Sequence, residues 1–346
     1  MKYLLLLIAF LAAATTISAQ WVKQNVNTTA SLRGLSVVNE KVVWASGTGG
    51  TVIRTVDGGK TWNVIVVPGA EKLDFRDIEA FSAKTAYILS IGNGESSRIY
   101  KTTDGGRNWK LQFKNANEKA FFDAIACWDK NNCVAMSDPV DRKFVLIQTK
   151  DGGKSWTPMD TSKMPEAKEG EAAFAASGTC LITQGKKNLF LVTGGSDARV
   201  FHSNDRGLTW YVAETPIAKG TAGSGIFSIA MFDIASGVIV GGNYEKPDAR
   251  DNTLAFTSDG GRTWSLGPAL GGYRSGITLL DRIWMIAVGT NGSDLRRESE
   301  KTWTPMGPEN LNSVAADKNI NNQIMVWAVG PNGLVVCQYF GIVIVT

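Results

Sequence analysis

The stretch "TVDGGKTW" at residues 55–62 places a carboxylate on a glycine-rich loop, an arrangement that can do acid–base chemistry. The pattern returns as "TTDGGRNW", "TKDGGKSW", "SNDRGLTW" and "TSDGGRTW", and a sixth copy, "RRESEKTW", has lost its aspartate and glycines. The five aspartates are Asp57, Asp104, Asp151, Asp205 and Asp259. Five equivalent catalytic carboxylates would make little sense, whereas an aspartate that accepts hydrogen bonds from its own loop stabilises a turn. We therefore predict that these five residues are structural.

Three arginines fall at the same place in different repeats, at the start of a first strand: Arg33 in "LRGL", Arg76 in "FRDI" and Arg274 in "YRSG". Converging guanidinium groups suit a carboxylate, a phosphate or an acidic peptide, because their forked donors match planar anions. Acidic residues are expected to face them: Asp123, Asp138, Asp141 and Glu171. The alternative is that each arginine pairs with a nearby acid and only makes this surface rigid.

The elements that must position these residues are short strands. One repeat reads as strand A "FRDIEAF", strand B "TAYILSIG", strand C "SRIYKT", the aspartate loop, and strand D "WKLQF". No segment has a convincing helical period. Repeats of 39 to 54 residues with this content are typical of β-propeller blades.

The repeat tryptophans count the blades. They are Trp62, Trp109, Trp156, Trp210, Trp264 and Trp303, and Trp21 adds a seventh. We predict one all-β, seven-bladed propeller over residues 20–346, with four-stranded blades and the ring closed by "WVKQNV" as the outer strand of the last blade. The tail "GIVIVT" competes for that place as a less economical choice. The connections opposite the aspartate loops then surround the channel mouth, where a site is expected.

The pattern S/T-x-D-x-G-x-T/S/N-W resembles the Asp-box (BNR) repeat of sialidase-like propellers. Across nearly the whole chain after residue 19, the likeness is greatest to photosystem II stability/assembly factor-like propellers, through "VVWASGTGGTVIRTVDGGKTW". That resemblance implies an exported, non-enzymatic assembly factor that binds a membrane-protein partner through an arginine-lined surface. We assign ligand binding to a set of five residues: Arg33, Arg76, Arg274, Asp123 and Glu171.

The second resemblance is to glycoside hydrolases of the sialidase or xyloglucanase type. Sialidases use a tyrosine nucleophile with a glutamate partner and an aspartate acid/base, for which Tyr244, Glu171 and Asp138 are loose counterparts. The chain departs from this pattern: it has no "RIP" motif, seven blades where sialidases have six, and one propeller where xyloglucanases pair two. We therefore favour a binding protein over an enzyme.

The first nineteen residues read as a secretory signal peptide, with Lys2, the apolar run "YLLLLIAFLAAA" and "TTISA" before Gln20. We expect a cut after Ala19 and an exported protein, periplasmic or secreted, without a membrane span. Without Lys2 the net charge falls from +4 to +3, and the charges are scattered, so nucleic acid is not an expected partner. We expect a monomer that binds a protein, a peptide or a small anion, with no cofactor.

Cysteine and histidine are sparse. Cys127 and Cys133 flank "WDKNN", a spacing that allows a disulfide across a hairpin; the alternative is two small apolar strand residues. His202 is the only histidine, which argues against a histidine triad or a histidine-rich metal site.

Overall fold

The computed structural model describes residues 20–280, 284–317 and 323–341. The expected signal peptide, residues 1–19, lies outside the described residues, as do residues 342–346 of the tail "GIVIVT". The fold is all β, with seven blades of four antiparallel strands in a ring, as the repeats predict. Within the described ranges there is no α-helix, only a short 3-10 turn at Gly94–Ser96, and no helix that could span a membrane.

The strands follow in chain order. They are β1 (Val22–Lys23), β2 (Leu32–Val37), β3 (Val43–Gly47), β4 (Thr51–Thr55), β5 (Asn63–Val66), β6 (Phe75–Ala80), β7 (Ala86–Ser90), β8 (Arg98–Thr102), β9 (Lys110–Lys114), β10 (Phe122–Asp129), β11 (Asn132–Val140), β12 (Lys143–Thr149), β13 (Thr157–Pro158), β14 (Glu171–Ala172), β15 (Leu181–Gln184), β16 (Asn188–Val192), β17 (Gly194–Gly195), β18 (Arg199–Ser203), β19 (Tyr211–Glu214), β20 (Ser224–Met231), β21 (Gly237–Asn243), β22 (Leu254–Thr257), β23 (Ser265–Leu266), β24 (Gly276–Leu279), β25 (Trp284–Gly289), β26 (Gly292–Arg297), β27 (Thr304–Gly307), β28 (Ser313–Ala316), β29 (Gln323–Val329) and β30 (Val335–Gly341).

Each blade is a four-stranded meander that begins with its innermost strand, which is the edge strand of the sheet in every blade except blade 5. The inner strands of blades 1 to 7 are β2, β6, β10, β15, β20, β24 and β28. Blade 5 also carries two additional two-residue strands, β14 and β17, which extend its sheet to six strands. These additional strands come from the connections into and within blade 4, so they link blade 4 to blade 5.

The N-terminal strand closes the ring. β1 pairs antiparallel with β30, with Val22 opposite Cys337 and Lys23 opposite Val336. The adjoining Trp21 is buried and donates a hydrogen bond from Nε1 to Ser293 Oγ of blade 6, at 2.8 Å. The last blade therefore takes its outer strand from the start of the described chain, which removes an exposed sheet edge.

The Asp-box aspartates tie turns between strands C and D. Asp57 accepts hydrogen bonds at Oδ1 from the Thr61 N–H, at 2.9 Å, and at Oδ2 from the Thr61 hydroxyl, at 2.6 Å. These bonds and one from the Thr55 hydroxyl lower the pKa of Asp57 to about 2. The same local pattern recurs at the other four boxes, in the order Asp104, Asp151, Asp205 and Asp259.

The A-to-B turn of blade 3 carries a disulfide. Cys127 and Cys133 are directly opposite each other in the β10–β11 hairpin, and their sulfurs are bonded at 1.98 Å. The other two cysteines, Cys180 and Cys337, are free and buried. The single histidine, His202, stacks on Phe190 with ring centroids 4.1 Å apart, which is a packing role.

Candidate functional site

A shared irregularity positions residues at the channel mouth. In β2, β6, β10 and β20 the pairing with the next strand skips one residue near the strand start. The skipped residues are Arg33, Arg76, Asp123 and Phe227. A β-bulge of this kind bends the strand and re-aims a side chain, and bulges are frequent beside binding sites. The bulge therefore marks the same position in blades 1, 2, 3 and 5 as a candidate binding position.

Arg33 and Arg76 are neighbours and both are half-buried. Burial and the positive charge of Arg76 lower the pKa of Arg33. Arg76 donates from Nε to Asp74 Oδ2 at 2.8 Å, whereas Arg33 has no ion pair with any carboxylate in the part of the chain that the structure describes. Two close guanidinium groups with a single paired carboxylate leave an excess of positive charge at the mouth, which favours an anion.

Arg274 differs from the expectation. Its side chain is 2% exposed and pairs with Asp294, with Nε and Nη2 at 2.8 and 2.6 Å from Oδ2. Nη1 donates to Asn291 Oδ1 at 2.6 Å and to the Tyr273 carbonyl at 2.8 Å. The physical reason is the acceptor set that blade 6 supplies from β26 and from its B-to-C turn. The expected arc of three arginines is thus reduced to two that face the mouth.

A segment of the chain itself lies across the mouth. We call residues 173–179, the end of the connection from blade 3 into blade 4, the plug. Arg33 Nη1 donates to the Ala176 carbonyl and Arg76 Nη1 to the Ala175 carbonyl, both at 3.3 Å. Asp138 of blade 3 accepts the Ala173 N–H at 2.8 Å. The two arginines therefore already hold main-chain carbonyl groups.

The plug also reaches the other side of the ring. Ser177 Oγ donates to the Ser275 carbonyl beside blade 6, at 2.8 Å, and Thr179 Oγ1 lies 2.6 Å from Ser228 Oγ of blade 5. On blade 7, the Ser313 hydroxyl reaches the Ser177 carbonyl at 3.5 Å. Behind the plug, on the side of the Asp boxes, the inner strands line a partly open cavity of about 510 Å³ whose lining includes residues 177–179. The plug separates this cavity from the arginines.

An aromatic cluster borders the arginines. Phe174 of the plug stacks on the bulge residue Phe227, with centroids 3.9 Å apart and an interplanar angle of 6°. Tyr244 and Tyr273 contact the Phe227 ring edge-on at 6.2 and 4.7 Å. Tyr244 is 46% exposed, and it is the part of the cluster that a partner can reach most easily.

The aspartates at the starts of the inner strands of blades 2 and 3 are buried. Asp123 is 1% exposed, and burial together with the charge of Asp138 raises its pKa well above the usual range. Burial raises the pKa of Asp138 to about 6 and that of Asp77 to about 7, although Asp77 accepts backbone N–H bonds from Ile78 and Ile125. Asp123 thus shares a buried environment with Asp138, and its Oδ2 has no hydrogen-bond partner. Asp141, by contrast, is an exposed turn residue that pairs with Lys119 at 3.3 Å.

Glu171 also differs from the expectation. It lies in β14, and both carboxylate oxygens are held by Arg199, with Nε 3.0 Å from Oε1 and Nη2 bonded to Oε2. Thr193 Oγ1 and the Lys168 N–H donate to the same carboxylate at 2.6 and 2.8 Å. A carboxylate that is already paired on both oxygens is not free to bind a ligand.

The same geometry bears on the hydrolase residues. Glu171 is held by Arg199, and Asp138 accepts the Ala173 N–H two residues further along the plug connection. Tyr244 packs in the aromatic cluster. The structure therefore places Asp138 and Glu171 at the two ends of one short segment, residues 171–173. Both carboxylates hold this segment in place, Asp138 by accepting the Ala173 N–H and Glu171 by its ion pair with Arg199.

The plug is the feature that sequence reasoning missed. Its signal was the long connection between the third box and β15, which ends in "AAFAASGTC". Arg199 was missed for another reason, since it begins a strand C and resembles an ordinary exposed strand residue. Its partner Glu171 is 28 residues away, and only the pairing of β14 with β17 brings the two together.

Comparison with protein families gives one match, over residues 13–111, to the family described as "Photosynthesis system II assembly factor YCF48". No curated protein matches the chain. Several solved structures share the fold. The structure described as "YCF48 bound to D1 peptide" is 16% identical, with a TM-score of 0.65, and the match covers 92% of this chain and 96% of that chain.

YCF48 from Cyanidioschyzon merolae gives the same identity of 16% and the same TM-score of 0.65, with coverage of 92% and 99%. The extracellular domain of a putative hybrid two-component system from B. thetaiotaomicron is 10% identical, with a TM-score of 0.64, and the match covers 92% of this chain and 39% of that chain. At these identities the likeness of the structures shows the fold alone. The chain is an Asp-box propeller that is similar to photosystem II assembly factor-like proteins, as its repeats predict.

Proposed function

We propose that this protein is an exported, monomeric and non-enzymatic propeller that binds a partner at its mouth through Arg33 and Arg76. The partner is an acidic peptide, an acidic segment of a protein or a small anionic ligand. The observation that carries the proposal is the arginine pair itself: of the two half-buried guanidinium groups, only that of Arg76 is ion-paired, with Asp74, and Arg33 has no carboxylate partner among the described residues. A second carboxylate, supplied by a ligand, would offset the remaining positive charge.

Two further observations support a binding role. A solved structure with the same fold is described as bound to a peptide, so a propeller of this shape can hold one. On the present chain, the aromatic cluster lies beside the arginines and exposes Tyr244. Tyrosine and arginine are enriched among the residues that dominate binding energy in protein interfaces.

Export is supported by the apolar N-terminal run before Gln20 and by the disulfide between Cys127 and Cys133. Disulfides persist in oxidising compartments outside the cytoplasm. Cell fractionation of the full-length chain tests this part of the proposal. A mature N-terminus at Gln20 in the exported fraction is the expected result, and an uncleaved protein that stays in the cytoplasm would contradict it.

The binding test replaces Arg33 and Arg76 by glutamine and measures affinity for a panel of acidic peptides, each with a neutral twin in which every glutamate is glutamine. Wild-type protein should prefer the acidic member of a pair. The double variant should bind at least about 100-fold more weakly, because hydrogen bonds to charged groups contribute about 1.5–3 kcal/mol each and about 1.4 kcal/mol is a tenfold change in affinity. Added salt should weaken wild-type binding in the same direction.

A matched control removes two exposed arginines from Asp boxes on the opposite face, Arg107→Gln with Arg262→Gln, and changes the net charge equally. This control should bind like wild type. Equal losses in both double variants would mean that only the overall charge matters and would contradict a specific site. Binding that is the same for acidic and neutral peptides would contradict the anionic ligand.

A further inference from the structure

The plug occupies the place that the proposed ligand needs. Its backbone carbonyls at residues 175 and 176 accept hydrogen bonds from the same two arginines that would hold the ligand. Both donor–acceptor distances are 3.3 Å, at the long end of hydrogen-bond geometry, so each contact is weak. Because the contacts involve main-chain atoms, another peptide in the same position could make them.

The plug is also held without any strand ladder. It lies between β14, which ends at Ala172, and β15, which begins at Leu181. Ala173, Ala175 and Ala176 are buried, but apart from Phe174 the plug side chains are small, so each buries little apolar surface. The largest anchor is the Phe174 ring, which lies flat on Phe227 and edge-on to Tyr244.

We propose that the plug is an intramolecular competitor for the peptide site. A partner that binds at Arg33 and Arg76 displaces residues 174–177, and the favoured partner places an aromatic side chain in the position of Phe174 on Phe227. The inference rests on the proposed function and specifies both its ligand class and its regulation. An intramolecular competitor lowers the apparent affinity by the fraction of molecules in which the mouth is free.

The experiment measures binding of two synthetic peptides, acetyl-EAFAASE-amide and acetyl-EAAAASE-amide, by calorimetry. Both carry glutamates for the arginines, and only the first has an aromatic side chain for the Phe227 position. The host proteins are wild type, Phe174→Ala, and the milder Phe174→Leu. The control host is Phe113→Ala, which removes a partly buried ring from outer strand β9, where it packs on Phe122.

Phe174→Ala should bind the aromatic peptide about 10-fold or more tightly than wild type, since weakening the plug raises the fraction of free mouths. Phe174→Leu should give an intermediate gain, and Phe113→Ala no gain. The gain should be larger for the aromatic peptide than for its alanine twin, because only the aromatic peptide fills the vacated position. In wild type, peptide binding should speed hydrogen exchange of the amides of residues 174–177.

Three results distinguish a failure of the plug proposal from a failure of the proposed peptide binding. If wild type and both Phe174 variants bind the aromatic peptide equally, or the variants bind more weakly, the plug is a permanent part of the site and the inference is overturned while peptide binding stands. Slower exchange of the plug amides on binding has the same meaning. If no host binds these peptides or any acidic peptide of the panel, the proposed function fails and the inference fails with it.

Discussion

The two faces of this propeller use the same residue type, aspartate, in opposite ways. On the Asp-box face, Asp57 and its equivalents lie in turns near solvent, and local hydrogen bonds lower the pKa of Asp57 to about 2. Toward the mouth, Asp77 and Asp123 are almost fully buried, and burial raises the pKa of Asp77 to about 7. A carboxylate with several donors at hand is stabilised as an anion, whereas a buried one with too few is driven toward the protonated form.

The Asp-box face is stabilised by local contacts, whereas the mouth depends on contacts between distant parts of the chain. An Asp box is complete within eight residues, so it works identically in five blades. The mouth depends on partners far apart in sequence, such as Arg33 with Ala176 and Arg274 with Asp294. Substitutions on the two faces should therefore differ in how much unfolding free energy they cost, in the pH dependence of that cost and in their effect on peptide binding.

The largest effect is expected from Arg199→Ala. This change leaves the Glu171 side chain, which is 0% exposed, without its ion-pair partner. Leaving a buried charge unpaired costs about 3–5 kcal/mol of unfolding free energy, measured by denaturant titration. The control is Lys168→Ala, whose half-exposed ammonium pairs with the exposed Glu214 and the buried Asp197. Asp197 keeps Lys219 as a second partner in this variant, so the loss should stay near about 1 kcal/mol. Equal losses in the two variants would contradict the prediction.

The next effect concerns pH. Because the pKa of Asp77 is raised in the folded state, the fold keeps a proton that the unfolded chain releases near pH 4, so stability is lost as the pH rises from 4 through 7. A shift of this size corresponds to roughly 4 kcal/mol, at about 1.36 kcal/mol per pKa unit. The unfolding free energy, measured from pH 4 to 8, should therefore fall with pH in wild type and less steeply in Asp77→Asn, in which the raised pKa values of Asp123 and Asp138 remain. A parallel pH dependence in the two proteins would contradict this assignment.

A smaller effect is expected from the disulfide between Cys127 and Cys133. The bond closes a short loop, and a cross-link over so few residues stabilises by about 2 kcal/mol through the unfolded state. Reductant should lower the unfolding free energy of wild type by this amount and leave the Cys127→Ala/Cys133→Ala variant unchanged. Peptide binding should survive reduction, since the hairpin turn lies on the Asp-box side. Loss of peptide binding when wild type is reduced would contradict this prediction and would show that the hairpin affects the mouth.

The smallest effect is expected from Asp57→Ala. One box of five is lost and its turn is near solvent, so the loss of stability at neutral pH should be below that of the preceding variants. The pKa of Asp57 is lowered, so its contribution is present above pH 4 and is lost as the pH falls toward 2, opposite to Asp77. Acid unfolding followed by circular dichroism should show this dependence in wild type and less of it in the variant. A change in peptide affinity would contradict a purely structural role.

Much of the architecture could be predicted because it repeats. The boxes and tryptophans predicted seven blades and the role of the N-terminal strand, and β1 does pair with β30. The site could be predicted only in part. Strand position predicted that Arg33 and Arg76 are equivalent, and both lie at a bulge near the start of their strands, but the same reasoning grouped Arg274 with them. Arg274 precedes its strand, and the acceptors that hold it come from later parts of its own blade: Asp294 from β26 and Asn291 from the turn before it.

The blade number, the all-β class and the local chemistry of the Asp boxes follow from the amino-acid sequence alone, because each of these depends on contacts within a few residues. Which charges at the mouth are neutralised by ion pairs follows only from the tertiary structure. Arg274 is paired with Asp294, and Glu171 is paired with Arg199. Arg33 has no carboxylate partner among the described residues, and the plug lies over the channel. These outcomes depend on which distant groups meet when seven sheets close into a ring, and ion pairing responds to burial and to distances that residue types and spacing do not specify.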